Sequence, residues 1–298
     1  MTDFWIHARS RYPIEMHALN ICLDEIKYRL ARIGRANSHS RENSLSQTRS
    51  VAVIYLARGR TREELNSIRV FLDSYKRFPA GSAHSFYVIY KGFETESSRS
   101  QVQALFDVPH AAIALGDGNL DLGAYIEAAG MVEDDYVFLM NTHSEIRASN
   151  WLEKVMSPFA DKKIGMVGCT ASFESLSPLS PLFPPRPNPH VRSNAFALER
   201  FMFVNMMRDE KIATKFDAWL LESGPNSITN RIKSLNKRCV IVDRDGAIQE
   251  ESTWPQSAVF RHLFRRQALI IDNQIRDFES AKLIKKLEMS FYAWSVPS

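Results

Sequence analysis

The distribution of apolar residues predicts short buried strands that alternate with helices from residue 51 onward. The apolar runs have the length of strands and are VAVIYLA (51–57), SFYVIY (85–90), AAIAL (111–115), DYVFLM (135–140) and IGMVGC (164–169). Nearly continuous apolar runs of this kind, separated by helical segments, are typical of a mostly parallel sheet that is covered on both faces. The sequence therefore predicts an α/β fold with helices on both faces of a central sheet.

Helical signals lie between and before these runs. Thr61 and Glu64 have the spacing of a capping box, in which two side chains satisfy the free N–H groups at a helix start. Residues 14–33 place apolar residues four positions apart, as in an amphipathic helix, and the polar residues 34–50 indicate a linker. We therefore expect a helical appendage ahead of the α/β domain.

The pattern changes after residue 169. The prolines between residues 178 and 189 forbid a helix and disfavour a central strand, so they predict a long surface loop. A helix is expected from Val191 to about Met207, and RCVIVD (238–243) predicts a last strand. The expected division is residues 1–50 as N-terminal helix and linker, 51–250 as one α/β domain, and 251–298 as a C-terminal helical tail.

Composition and charge narrow the class of protein. A chain of 298 residues with 45% apolar and 24% charged residues is that of an ordinary globular protein. The net charge of +4 is modest and no nucleic-acid-binding motif is present, so nucleic acid is not an expected partner. The three cysteines are far apart in sequence, and residues 1–20 lack a secretory pattern, so free thiols in the cytoplasm are expected.

Four segments are informative in their order along the chain: VAVIYLARG (51–59), LGDGNLDLGAYIEAAG (115–130), DYVFLMNTHSEIRASNWLEKV (135–155) and DAWLLESGPNSITNRI (217–232). Together they resemble GT-A-type glycosyltransferases, particularly bacterial enzymes of surface-polysaccharide assembly of the rhamnan-synthesis type. The resemblance implies a GT-A, Rossmann-like fold. It also implies inverting transfer of a sugar from a nucleotide-sugar donor to a glycan or lipid-linked acceptor in polysaccharide biosynthesis.

The resemblance and the strand ends together suggest site residues. Residues expected to contact the donor are Arg58, Lys91, Asp117, Asp121, Asn141, His143, His190 and Arg192. Glu222 is expected to be the general base, at the start of a helix, and Glu174 is the second choice. The proline-rich loop that follows Glu174 is expected to border the acceptor.

The metal motif of the family is altered in this chain. Where the family has Asp-x-Asp, which holds a divalent ion on the diphosphate, this chain has Asn141-Thr142-His143. Amide and imidazole groups are weaker ligands for Mg²⁺ or Mn²⁺ than carboxylates. Metal dependence is therefore open: Asn141, His143 and Glu145 are the candidate ligands if a cation binds, and arginine, lysine or histidine side chains could take its place.

Several site residues also have purely structural interpretations. Asp121 could cap the helix that follows it, Glu222 and Glu174 could form structural ion pairs, and the basic residues could be solvated surface charges. DGNLDLG (117–123) resembles a calcium loop, but its glycine comes one position late and Ala128 occupies the place of the bidentate glutamate.

Two other functions compete with sugar transfer. The altered metal motif is also compatible with a scaffolding subunit that binds a nucleotide sugar without turnover. A different nucleotide-dependent transferase is disfavoured, because the chain has neither GxxxxGK[ST] nor GxGxxG.

The tail beyond residue 251 mixes aromatic and basic residues, which fits either packing on the core or peripheral contact with the inner face of a membrane.

Overall fold

The computed structural model describes residues 14–33, 49–118 and 120–295. The helices are α1 (Ile14–Ile33), α2 (Arg62–Arg77), α3 (Glu96–Gln103), α4 (Asp121–Met131), α5 (Trp151–Met156), α6 (Arg200–Met206), α7 (Lys215–Ser223), α8 (Ile228–Ser234), α9 (Asn273–Ser280) and α10 (Leu283–Trp294). The strands are β1 (Val51–Ala57), β2 (Ser85–Lys91), β3 (Ala111–Leu115), β4 (Tyr136–Met140), β5 (Glu145–Ile146), β6 (Ile164–Gly168), β7 (Ala171–Ser172), β8 (His190–Val191), β9 (Ala195–Glu199), β10 (Arg238–Val242), β11 (Ile248–Gln249) and β12 (Ile270–Ile271).

An eight-stranded sheet forms the centre of the described chain, in the order β11-β10-β6-β9-β4-β1-β2-β3. Strands β1 to β4, β6 and β10 run in one direction, whereas β9 is antiparallel to both β4 and β6, and β11 is antiparallel to β10. The predicted mostly parallel sheet is thus confirmed, and its form is consistent with the GT-A fold that the resemblance implies.

Helices cover both faces of this sheet. Successive side chains of a strand point to opposite faces, and in β1 the residues Ala52, Ile54 and Leu56 pack into a cluster that contains the apolar residues of α4. Val53 and Tyr55 pack into the second cluster, with the apolar residues of α2 and α5. Every residue of β1 is buried, which explains why the strand has no polar position and why its sequence run was easy to recognise.

The predicted strands match β1, β2, β3, β4, β6 and β10 to within a residue at each end. The capping box of Thr61 and Glu64 at the start of α2 is confirmed as well.

The predicted helix from Val191 to about Met207 is wrong in its first half, because residues 195–199 form β9 and α6 begins only at Arg200. Residues 195–198 are buried on both faces, which suits a strand between β4 and β6, whereas a helix would expose one side to solvent.

The C-terminal segment packs into the domain. β12 pairs with β5, the Phe173 N–H donates to the Ala293 carbonyl at 2.8 Å, and the ring of Trp294 lies against that of Phe173. Helix α1 lies against α10, with His17 close to Ser290. Packing of the tail on the core is therefore confirmed, and the linker expected over residues 34–50 lies almost wholly outside the described residues.

None of the helices described combines the length and the apolar character needed to cross a lipid bilayer.

Cys169 and Cys239 are buried and Cys22 is exposed, and all three are free thiols. Burial raises the pKa of both interior cysteines, so they remain protonated near neutral pH.

Candidate functional site

The carboxyl ends of neighbouring parallel strands bring polar residues to one edge of the sheet. Arg58 follows β1, Lys91 is the last residue of β2, and Asn141 follows β4. Because β9 runs the opposite way, its amino end reaches the same edge, where the Asn141 N–H donates to the Asn194 carbonyl at 3.1 Å. Ligands of open α/β sheets bind at the carboxyl ends of the strands. This edge is therefore the candidate functional site.

Arg58 is fixed by the first residue of α4. Its Nη2 lies 2.7 Å from Oδ1 of Asp121. The N-cap position is occupied by Leu120 and no side chain caps the helix, so the interpretation of Asp121 as the cap is wrong. A carboxylate in the first turn is stabilised by the helix dipole. Asp121 thus serves to hold the Arg58 guanidinium at the end of β1.

Lys91 is a buried cation beside Arg58. Its side chain is fully buried, and its Nζ donates to the Gly116 carbonyl at 2.9 Å. Burial, and next the charge of Arg58, lower the pKa of Lys91, while the surrounding carboxylates of Asp117 and Asp121 oppose the shift. Lys91 is therefore not a solvated surface charge, and its ammonium group has donors to spare for an anionic ligand.

Asp117 belongs to a second ion pair on the exterior of this edge. Its Oδ2 lies 2.8 Å from Nη1 of Arg60, and both side chains are exposed. Gly92 makes room for the pair: its φ is +75°, and a Cβ there would meet Oδ1 of Asp117 at 2.9 Å. Since Asp117 and Asp121 are both engaged by arginines, the calcium-loop interpretation gains no support.

The tip after β4 is fixed by hydrogen bonds within the protein. Oδ1 of Asn141 accepts from the His143 N–H and from Oγ of Ser144, both at 3.1 Å. Thr142 Oγ1 donates to the Leu56 carbonyl at 2.8 Å, and Nδ1 of His143 lies 2.9 Å from Oγ of Ser67. Asn141 thus closes a turn in which a short polar side chain satisfies the backbone.

Two of the three candidate metal ligands are engaged by protein groups. The amide oxygen of Asn141 accepts from two donors, whereas His143 has only its Nδ1 engaged, by Ser67, and its Nε2 has no hydrogen-bond partner among the described residues. The Glu145 carboxylate lies between Arg147 and Arg276, at 2.9 and 3.3 Å. In the part of the chain that the structure describes, no three His, Cys, Asp or Glu side chains converge as a metal cluster would require.

Glu222 lies at the same edge, held from the side of β9. It is in the last turn of α7, not at a helix start as expected from the sequence. Its Oε1 accepts from the Ser193 N–H at 2.8 Å and from Ser193 Oγ at 2.9 Å. Glu222 is half-buried, and Oε2 makes no hydrogen bond to any residue described. One oxygen is therefore oriented while the other remains open.

Buried polar atoms without partners lie around this edge. Among the described residues, the Tyr125 hydroxyl, Nε of Arg58 and Nδ2 of Asn194 have no hydrogen-bond partner. Buried polar groups are nearly always paired, so three such atoms at one edge indicate a place for a polar ligand or water. Burial raises the pKa of Tyr125 well above its usual value, and the charges of Asp121 and Glu222 also act on it.

Tyr125 and Ser193 were missed at the sequence level. One signal for Tyr125 was available, since it follows Asp121 by four residues and so shares its helical face. No comparable signal existed for Ser193, because its contact with Glu222 joins residues 29 positions apart.

His190 and Arg192 are largely buried, not placed on an exposed rim. Nδ1 of His190 donates to the Asn188 carbonyl at 2.8 Å, and burial lowers the pKa of the ring although the nearby Glu222 raises it. Nη2 of Arg192 lies 3.0 Å from Oδ2 of Asp272, and its guanidinium stacks on Phe260. Both side chains therefore lie in the protein interior, and the charge of Glu222 acts on His190. Their predicted contact with the donor stays a prediction.

Glu174 forms the structural ion pair that was its alternative interpretation. Oε1 contacts the Arg261 guanidinium, and Oε2 accepts from Ser172 Oγ at 3.1 Å. Both oxygens are thus engaged, which makes Glu174 a less suitable base than Glu222.

Comparisons with known proteins give structural likeness only. No family model matches the sequence and no curated protein matches it. A mannosyltransferase from Pyrobaculum calidifontis, solved with GDP-mannose and Mn²⁺, is 14% identical over 76% of this chain and 66% of its own, with a TM-score of 0.42. Glucosyl-3-phosphoglycerate synthase from Mycobacterium tuberculosis, solved with Mn²⁺, UDP and phosphoglyceric acid, is 15% identical over 52% of this chain and 57% of its own, with a TM-score of 0.35.

A nucleotidyl-transfer enzyme is about equally similar. The 4-diphosphocytidyl-2C-methyl-D-erythritol synthase from Anaerococcus prevotii is 11% identical over 66% of this chain and 89% of its own, with a TM-score of 0.42. This chain spans less than two thirds of the length of both glycosyl-transferring structures. Likeness at this level does not assign an activity or a residue role.

Proposed function

We propose that the protein is an inverting glycosyltransferase that moves a sugar from a nucleotide-sugar donor to a hydroxyl group of an acceptor. The observation that carries the proposal is that Arg58, Lys91 and Glu222 are at the same edge of the sheet, where the charges of Arg58 and Glu222 both act on Tyr125, whose hydroxyl has no partner among the described residues. Sugar transfer needs cations for a departing diphosphate and a base for the acceptor.

On the donor side, Arg58 and Lys91 would receive the diphosphate. Arg58 is oriented by Asp121, and Lys91 by the Gly116 carbonyl. As the bond between the anomeric carbon and the diphosphate oxygen breaks, negative charge grows on the leaving group. Positioned guanidinium and ammonium groups stabilise such charge, and they do so more strongly in a partly buried site than in water. Asn141, His143 and Asp117 would contact the remainder of the donor.

On the acceptor side, Glu222 would act as the general base. The acceptor oxygen attacks the anomeric carbon from the face opposite the diphosphate, its proton passes to Oε2 of Glu222, and configuration inverts in this single displacement. The two hydrogen bonds from Ser193 would hold the carboxylate in place during the transfer. Glu174, which pairs with Arg261, would support the wall of the acceptor region.

The acceptor is proposed to be a growing glycan or a lipid-linked saccharide in polysaccharide biosynthesis. The proline-rich loop is held beside Glu222, since Nδ2 of Asn188 donates to the Ser223 carbonyl at 2.7 Å. We place the protein in the cytoplasm, with peripheral contact to the membrane. The start of α10 supports such contact, because Leu283 and Ile284 are 66% and 75% exposed next to the basic residues Lys285 and Lys286.

The proposal is tested by thermal shift with UDP, GDP, dTDP and CMP sugars, because a ligand of the native state raises the melting temperature. We expect one donor class to stabilise the protein, and the Arg58→Gln variant to lose that response. Arg69→Gln, which removes an exposed arginine of α2, is the matched control. No response to any donor, or equal responses in both variants, would contradict the proposed site.

A second candidate is a subunit that binds a nucleotide sugar without turning it over. Its specific support is the tip after β4, where Asn141 and Glu145 are engaged by protein groups and do not form a cation site. The two functions separate in a transfer assay with the donor that binds: retained binding with no transfer to any glycan or lipid-linked acceptor favours the subunit.

A further inference from the structure

A second basic cavity shares no lining residue with the edge formed by Arg58, Lys91 and Glu222. Its volume is about 190 Å³, and it lies between the segment 258–268, β12 and α9. Its basic lining residues are Arg147, Arg244, Arg261, Arg265 and Arg266. The proposed sugar-transfer mechanism touches this cavity only through Arg261, the partner of Glu174, and gives it no chemical step.

The cavity lining has an excess of positive charge. Glu279 is the one carboxylate among the lining residues, and it lies 3.9 Å from Nη2 of Arg147 and 3.7 Å from Nε of Arg266. Arg147, Arg261 and Arg265 are also paired with carboxylates outside the lining, so the uncompensated charge is mainly that of Arg244 and Arg266. Arg266 is 68% exposed, and the Arg244 side chain has no hydrogen bond or ion pair with any residue described. An anion would balance this charge.

The histidine in the cavity wall, His262, carries no charge near neutral pH. Nδ1 of His262 accepts from the N–H groups of Phe264 and Arg265, at 3.3 and 3.2 Å. Burial, together with the charge of Arg265, lowers the pKa of His262 to about 4, so the ring is neutral at pH 7. Its one proton is then on Nε2, since Nδ1 is an acceptor. The ring therefore adds no charge to the wall, and the positive charge of the lining belongs to the arginines.

The backbone of the cavity loop is strained at two residues. Ala258 and Arg261 have φ values of 61° and 45°, in the left-handed region that favours glycine. Packing holds this conformation: the Gln267 N–H donates to the Ala258 carbonyl at 3.0 Å, and the Arg261 guanidinium lies 4.6 Å from the centre of the Phe260 ring. Such strain persists where surrounding structure enforces it, and it is frequent at ligand-binding sites. Arg261 is itself one of the residues that line the cavity.

We propose that this cavity binds a phosphate group, either free or as a monoester or diester. Guanidinium groups match phosphate oxygens in geometry as well as charge, and several of them around one cavity favour a multiply charged oxyanion over a single carboxylate. The cavity is smaller than the roughly 300 to 1,000 Å³ of pockets that enclose a whole small molecule. It therefore fits a phosphoryl group with few further atoms, and Val259 and Phe278 in the wall would contact an attached carbon chain.

The proposal is tested by titrating the full chain with inorganic phosphate and pyrophosphate in a calorimeter. Three variants are compared: the double variant Arg244→Gln/Arg266→Gln, a control that removes two exposed arginines elsewhere (Arg69→Gln/Arg208→Gln), and Arg58→Gln for the donor edge. We expect the double variant to bind phosphate about tenfold or more weakly, as lost charge-assisted hydrogen bonds imply. The control should bind like the parent, and Arg58→Gln should weaken only the pyrophosphate binding that belongs to the donor edge.

A second experiment decides whether the bound phosphate belongs to a soluble compound or to a lipid headgroup. It measures sedimentation of the protein with phosphatidylcholine vesicles, with and without phosphatidic acid. Loss of vesicle binding in the double variant indicates a lipid headgroup, and loss of inorganic phosphate binding alone indicates a soluble ligand. Either loss supports the cavity. The proposal is overturned if no probe binds, if all variants bind alike, or if only Arg58→Gln loses binding. Binding at the cavity is measured by the loss in Arg244→Gln/Arg266→Gln and binding at the donor edge by the loss in Arg58→Gln, so the two proposals can fail separately.

Discussion

Ser193 holds Glu222 by two hydrogen bonds, one from its N–H at 2.8 Å and one from its hydroxyl at 2.9 Å, both to Oε1. Ser193 lies two residues before β9, at the edge where β4 ends, so the bonds fix the end of α7 to the sheet. The open Oε2 then has a defined position next to the strand ends. A base is effective only if it is oriented in this way toward the proton that it receives.

Glu222→Gln should slow turnover by roughly 10²- to 10⁴-fold at saturating substrates, the usual worth of a positioned base. The amide oxygen can still accept both bonds from Ser193, so the fold and the donor affinity should be unchanged. Single-turnover kinetics, with donor binding measured by calorimetry, provide the check. Turnover within a few-fold of the parent would show that another group takes the proton, and Glu174→Gln would be the next variant to measure.

Arg58→Gln should weaken donor binding by about tenfold or more, because it removes a charge-assisted contact to the diphosphate. The variant should fold normally, since the Asp121 carboxylate that loses its partner is substantially exposed. Calorimetric titration of the donor is the measurement, with Arg69→Gln as the charge-matched control on α2. Unchanged affinity in Arg58→Gln would move the diphosphate away from the end of β1.

The strands could be predicted because full burial on both faces leaves continuous apolar runs, as in β1 and β4. β9 was missed because it continues directly into α6, so the boundary between strand and helix carries no break in the apolar pattern. The two-residue pairing of β5 with β12 is too short to give a pattern at all. Which strands neighbour each other is visible only in three dimensions.

The site could be predicted only where its residues follow strands. Arg58, Lys91 and Asn141 are at the expected edge, because parallel strands carry the residues that follow them to the same end of a sheet. The partner of Glu222 depends on how α7 approaches β9, which local sequence does not encode. The buried position of Arg192 likewise depends on the C-terminal segment, which supplies Asp272 and Phe260 as its partners.

Donor affinity should change less than about threefold between chelator and Mn²⁺, which is under 1 kcal/mol. The reason is that Asn141 and Glu145 are engaged by protein groups, so a cation would have to displace existing hydrogen bonds or ion pairs to gain more than one ligand here. The measurement is donor titration in each buffer. A loss of about 100-fold in chelator would indicate a rearranged tip that binds metal together with the donor, and would contradict the prediction.

The free energy of unfolding should fall as pH drops below about 6.5. Burial lowers the pKa of His17 and of His262 to about 4, whereas both rings titrate near 6.5 when unfolded. Between these values the unfolded chain binds more protons, so stability is complete above pH 6.5 and is lost toward pH 4. The slope should be at most about 1.4 kcal/mol per pH unit for each ring.

Urea unfolding at pH 7.5, 6.5, 5.5 and 5.0 measures this slope. The double variant His17→Gln/His262→Asn keeps acceptor atoms for the described hydrogen bonds but removes both titrating rings. Its slope between pH 6.5 and 5.5 should be clearly smaller, with a remainder from His190, whose pKa burial also lowers. Equal slopes in the parent and the double variant would show that the pKa values of these two rings are the same in the folded and the unfolded chain.

Tyr125→Phe should separate ligand binding from stability. The Tyr125 hydroxyl is buried without a hydrogen-bond partner among the described residues, so the folded protein gains nothing from it in the absence of ligand. Removing an unsatisfied buried hydroxyl is neutral or stabilising, and the melting temperature should stay the same or rise. If the hydroxyl binds the donor or the acceptor, affinity for that substrate should fall by about three- to tenfold, the worth of one hydrogen bond.

The melting temperature without ligand and the affinities for donor and acceptor are measured on the same preparation of Tyr125→Phe. Tyr87→Phe is the control, because the Tyr87 hydroxyl has a partner in Asp134 at 3.4 Å. A lower melting temperature in Tyr125→Phe, with unchanged affinities, would mean that an internal water satisfies the hydroxyl and that it does not contact a substrate. Unchanged stability with weaker donor binding would place the hydroxyl on the donor side, with Asp121. Unchanged stability with weaker acceptor binding would place it on the acceptor side, with Glu222. Both are open because the charges of both residues act on Tyr125.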